Sequence, residues 1–103
     1  MEMSKVTVEI DADLQDLIPQ FVENRKKDIE TLEQLVEKND LVTIAQLAHK
    51  IKGAAAGYGF NELSELAAQM EKSAKANDST PLKDLVKRMR IHFLNIEIRY
   101  VTM

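Results

Sequence analysis

LAHKIKGAAAGYGFNELSEL, Leu47–Leu66, carries one apolar stripe into a pair of glycines and starts another on the far side. Before the glycines, Ile44, Leu47, Ile51, Ala55 and Tyr58 gather on one side of a helical wheel drawn at about 100° per residue. After them, Leu63, Leu66, Ala67, Met70 and Ala74 recur at helical spacing. The stop is supplied by Gly57 and Gly59, and Asn61 is placed to cap the next helix. So short a connection makes the two helices antiparallel neighbours.

The same reading extends in both directions. Upstream, Asp40 in the connection Lys38-Asn39-Asp40 caps a helix running from Leu41 to about Gly57. Before it, Leu14, Leu17, Ile18, Phe21, Val22, Ile29, Leu32, Leu35 and Val36 repeat at helical spacing to about Lys38, behind Asp11 or Asp13 as cap. Pro19 lies inside this run, so either a short helix ends near Ile18 or the long helix begins with Pro19 in its first turn. Downstream, ANDSTP breaks the pattern, with Thr80 as cap and Pro81 at the first position of a last helix that buries Leu82, Leu85, Val86, Met89, Phe93 and Ile96. Four stripes joined by short loops predict an all-α fold, an up-and-down antiparallel four-helix bundle over residues 11–103. Residues 1–10 are expected to form a short N-terminal extended arm. Val6, Val8 and Ile10 alternate there, and a single strand with no sheet to join would lie on the bundle.

Composition agrees with one helical domain. The chain has 103 residues, 45% of them hydrophobic, with only 3 Gly and 2 Pro to interrupt helices. Its 14 basic and 17 acidic residues are interspersed, apart from Arg25-Lys26-Lys27, which gives no footprint for nucleic acid. That basic cluster reads as a solvated helix face, or as a means of steering an acidic partner. The absence of cysteine excludes disulfides, thiolate chemistry and Cys-ligated metals. No apolar run approaches about 18 residues and the N-terminus does not read as a secretory leader, so no membrane association and a cytoplasmic location are expected.

His49 stands apart from the stripes. On the wheel it lies about 160° from Ile51, so it faces solvent. Val42, Ala45, Gly53 and Ala56 surround it, with Gln46 and Lys50 beside them. A solvent face normally carries Glu, Lys and Gln. Here it is a flat strip of small groups, and Gly53 costs about 1 kcal/mol of helix propensity relative to Ala. Such a strip suits the close approach of another protein, with close packing between helices at Gly53 and Gly57 as the lesser alternative. Lys52 follows His49 by one turn, a rise of about 4.5 Å. An exposed imidazole is largely neutral at pH 7 and offers a lone pair without a separate base. Phosphoryl transfer asks mainly for in-line approach and nearby positive charge, which this pair provides. The second histidine, His92, adjoins Phe93 at the edge of a core stripe and reads as structural.

LAHKIKG followed by AAAGYGF resembles the histidine phosphotransfer (HPt) domains of multistep phosphorelays. His49, Lys52, Gly53, Tyr58 and Gly59 match their motif, and the likeness extends from about Asp11 to Phe93. The resemblance implies that His49 is the phospho-acceptor, that Lys52 stabilises the phosphoryl group and that Gly53 leaves room for an incoming receiver domain. Ala48, Ala54, Ala55 and Ala56 stand where many members mix Gly and Ser, which removes a hydroxyl contact but not the nucleophile. The implied partners are receiver domains of a response regulator or a hybrid histidine kinase, and the implied role is a monomeric phosphocarrier that is not an enzyme. No nucleotide loop occurs. No cofactor or metal is expected on the chain, any Mg²⁺ belonging to the partner receiver domain. The competing reading is a helical adaptor that docks a receiver or kinase domain through Val42, Ala45, Gln46, Lys50, Gly53 and Ala56 without being phosphorylated.

Overall fold

The computed structural model describes residues 5–102, so Met1–Ser4 of the expected arm and Met103 lie outside it. The order is β1 (Val6–Asp11), a 3-10 segment (Ala12–Leu17), α1 (Ile18–Lys38), α2 (Leu41–Tyr58), α3 (Asn61–Lys75), α4 (Leu82–Asn95) and β2 (Ile96–Val101). Consecutive helices pack on one another, and α1 packs on α4 to close the ring, which is the expected four-helix bundle.

Local chemistry sets the helix ends. The Asp11 carboxylate accepts from Asp13 N–H at 2.9 Å and opens the 3-10 segment. Both readings of Pro19 hold at once: the short segment ends at Leu17, and Pro19 then sits in the first turn of α1. Asn39 ends α1 in the left-handed conformation (φ 56°), and Asp40 caps α2 by accepting from Thr43 N–H at 3.2 Å. Gly59 ends α2 at φ 92°, with its N–H bonded to Ala56 O and the Phe60 N–H to Ala55 O. A side chain at Gly59 would be strained by that backbone, and its Cβ would also stand 3.3 Å from Ile10 Cδ1. Two expected caps are not used: α3 begins after Phe60, with Asn61 already inside it, and α4 after Pro81, and neither start has a side-chain cap bond.

One core fills the bundle. All five stripe residues expected on α3 are buried, and on α4 Leu82, Leu85, Val86, Met89 and Phe93. Phe60, 1% exposed, stacks on Phe21 with ring centroids 4.7 Å apart, and Tyr58 and Phe93 complete an aromatic cluster at this end of the bundle. Between α1 and α4, Arg90 grips Glu33 with two bonds of 2.6 Å. His92 is buried on α4 against Glu62 of α3, and burial lowers its pKa, the Glu62 charge opposing. Arg25 corrects the reading of the basic cluster. Its guanidinium is buried over the Phe21 ring and bonded to Asp28 at 2.8 Å, so only Lys26 and Lys27 remain on the surface.

The arm does have a strand to join. β1 pairs in parallel with β2, with Val6 opposite Ile96 and Asp11 opposite Val101. Val8, Ile98 and Tyr100 rest against the core, Ile10 is part of it, and Glu9 faces Arg99 on the outer side. Ile96, expected on the last helix, is the first residue of β2. It fits the helical stripe after Met89 and Phe93, and it also begins the alternation Ile96, Ile98, Tyr100. The pairing with β1 selects the second period.

Candidate functional site

The hairpin of α2 and α3 folds about Gly59, with similar lengths of helix on each side. His49 on α2 therefore comes level with Glu71 on α3. Small residues let the two helices approach: Ala45, Ala48 and Ala55 of α2 and Ala67 and Ala74 of α3 are all buried. The Ser64 hydroxyl donates to the Lys52 carbonyl at 2.9 Å, fastening α3 to α2 beside the site.

Glu71 organises the polar groups. His49 Nδ1 lies 2.8 Å from its Oε2, Lys52 Nζ lies 2.8 Å from its Oε1, and Lys75 Nζ lies 2.9 Å from Oε2. The Glu71 side chain is only 8% exposed, whereas that of His49 is 67% exposed. The hydrogen bonds from Lys52 and Lys75, reinforced by that from His49, hold the Glu71 pKa down at about 2 against its ordinary 4.5, outweighing the opposing effect of burial. At neutral pH the carboxylate is then acceptor-only, so His49 Nδ1 must carry the proton and donate it. This fixes the tautomer. In the neutral ring the lone pair is then on Nε2, the nitrogen that Glu71 does not engage.

Sequence spacing does not single out Glu71, because a lone acid on a helix is ordinary. The available signal was its place: Ala67, Glu71 and Ala74 follow i, i+4, i+7, which sets a charge on the flank of an apolar stripe. Because its folded pKa is lowered, Glu71 contributes stability that is fully present above pH 4.5 and is lost as pH falls toward 2. Urea unfolding of wild type and Glu71→Gln should therefore differ most above pH 4.5 and converge near pH 2. A difference that does not change with pH would remove Glu71 from the charge network.

Around the imidazole, Gln46, Lys50, Gly53 and Ala56 are exposed as expected, and Val42 is 70% exposed. Ala45 is a correction. It is only 8% exposed because α3 covers that flank of α2, and it lines a shallow depression with Gln46, His49, Glu71 and Lys75. The same shift broadens the buried arc of α2 to take in Ala48, while Leu47 and Tyr58 are half-buried. A Cβ added at Gly53 or Gly57 meets nothing within 4 Å, so neither glycine serves close packing inside the bundle. Gly53→Ala should accordingly raise the unfolding free energy by up to about 1 kcal/mol in chemical denaturation; a loss would reveal an internal contact.

A family model described as Hpt domain matches residues 16–97. The chain belongs to the Hpt domain family. Its membership agrees with the bundle, and members of this family act as phosphocarriers in two-component phosphorelays. No curated protein and no solved structure matches the chain. Within this Hpt domain, β1 and most of β2 lie outside the matched span. Among the described residues, no helix is long and apolar enough to cross a membrane, and no group of three or more His, Cys, Asp or Glu could hold a metal.

Proposed function

We propose that His49 accepts a phosphoryl group from an aspartyl phosphate on a receiver domain and passes it to the aspartate of another. The observation that carries this reading is the ionised Glu71 bound to His49 Nδ1, which leaves Nε2 as an exposed nucleophile. In the forward step the Nε2 lone pair forms a bond to phosphorus. The bond from phosphorus to the acyl oxygen breaks, and its electron pair returns to the receiver carboxylate. No proton has to leave. The ring becomes a cation bearing Nδ1–H, and Glu71 beside it offsets the new charge.

Lys52 stabilises the phosphoryl group in this reading, because its ammonium stands at the other Glu71 oxygen, one turn from His49. The exposed Val42, Gln46, Lys50, Gly53 and Ala56 form the docking strip, with Ala45 at its covered edge. Gly53 lets the receiver backbone come close. Mg²⁺ held in the partner's acidic pocket would supply further positive charge for the equatorial oxygens, and this reading asks for no cofactor on the chain itself. A monomer acting in the cytoplasm, meeting receivers of a response regulator or hybrid histidine kinase in small transient complexes, completes the proposal.

The test is incubation with a receiver domain charged by acetyl phosphate or by its kinase. Label should appear on the chain as acid-labile, alkali-stable phosphate, and phosphorus NMR should place it on Nε2. Label on Nδ1, or none from several competent donors, would overturn the reading.

A further inference from the structure

His49 is flanked by two ammonium groups, and the motif contains only one of them. Lys52 comes from its own helix, while Lys75 comes from α3, one turn beyond Glu71. Lys75 Nζ and His49 Nδ1 both contact Glu71 Oε2, at 2.9 and 2.8 Å. The shared oxygen keeps them within about 6 Å of each other, close enough for one charge to act strongly on the other. The Lys75 side chain is 66% exposed and lines the depression beside the imidazole, so its ammonium can leave Glu71 for a nearby acceptor at little cost. Charge supplies a reason for it to do so. One carboxylate faces two ammonium groups, and the surplus positive charge has no partner within the Glu71 cluster until an anion arrives at Nε2.

The geometry points to Lys75 as a second phosphoryl-holding residue: once Nε2 is phosphorylated, its ammonium moves from Glu71 Oε2 to a phosphoryl oxygen and draws the transfer equilibrium toward the histidine. This rests on His49 being the acceptor. Lys52 and Lys75 then bracket the group from two helices while Glu71 keeps the Nδ1 proton. Lys75 acts on the phosphorylated product, so its loss should not prevent phosphorylation.

The experiment measures, at fixed Mg²⁺ and salt, the equilibrium ratio of phosphohistidine to receiver aspartyl phosphate for wild type, Lys75→Gln, Lys75→Arg and Lys72→Gln. Lys72 is an exposed control that lies toward Pro81 and Arg88 on the α4 side. Lys75→Gln should still take label, with the ratio lowered at least about fivefold, the weight of a unit charge pair near 4 Å even in bulk water. Lys75→Arg should keep most of the wild-type ratio, and Lys72→Gln should stay within about twofold of it, as expected where salt screens a more distant charge. An unchanged ratio in Lys75→Gln overturns this role alone, and so does an equal loss in Lys72→Gln, which would mean that only net charge matters. A wild-type chain that takes no label overturns the acceptor reading and this role with it.

Discussion

His49→Gln is expected to carry no phosphate above background with any receiver donor, while folding and receiver binding persist. Gln fills a similar space and can still hydrogen-bond to Glu71, but it has no ring lone pair to attack phosphorus. The side chain it replaces is two-thirds exposed, so no core packing is lost. A fall of several orders of magnitude in transfer rate is expected, in line with removal of a nucleophile from a system whose remaining groups only position and stabilise. The same variant discriminates the adaptor reading. If His49→Gln supports signalling as well as wild type in a reconstituted relay, the strip is a docking surface and nothing more. Loss of labelling with receiver affinity retained assigns the chemistry to this one nitrogen heterocycle.

The largest effect on stability is expected at Phe60. It is 1% exposed, stacks on Phe21, neighbours Phe93 and directly follows the glycine that ends α2. Phe60→Ala should lower the unfolding free energy by about 3–5 kcal/mol in urea denaturation, the usual range for a buried phenylalanine truncated to alanine. Against the about 5–15 kcal/mol typical of a domain, that is a large share. The aromatic cluster also sets how α3 folds back on α2, so residual folded protein should show a weakened bond between Glu71 and His49. A loss below about 1 kcal/mol would mean that the cluster relaxes around the cavity and does not hold the hairpin.

Which features were legible in the sequence follows from how local their causes are. Asp40 capping α2 and Gly59 ending it are decided by a few neighbouring bonds, and periodicity exposes the stripes of α1, α3 and α4. His49 and Lys52 were visible because both lie on one helix, where spacing fixes their relation. Glu71 and Lys75 were not, since their meaning depends on the register between two helices, which the wheel of either one does not contain. The burial of Ala45 is hidden for the same reason. β2 shows a different limit: Ile96 satisfies a helical period and a strand period at once, and only the distant segment Val6–Asp11 decides between them. Arg25 looked like surface charge because composition cannot see the Phe21 ring and the Asp28 carboxylate that enclose it.

The parallel ribbon has a consequence for the order of folding. The hairpins of the bundle join segments close along the chain, whereas pairing Val6 with Ile96 closes a loop that contains all four helices. The entropic cost of closure grows with the logarithm of loop length, so this contact becomes favourable once the bundle has already shortened the path between its ends. The ribbon is then the last element to form and the first to open. Its release uncovers Ile10 and the Gly59 turn while the α2–α3 pair that holds His49 stays assembled, which separates the lifetime of the ribbon from that of the site.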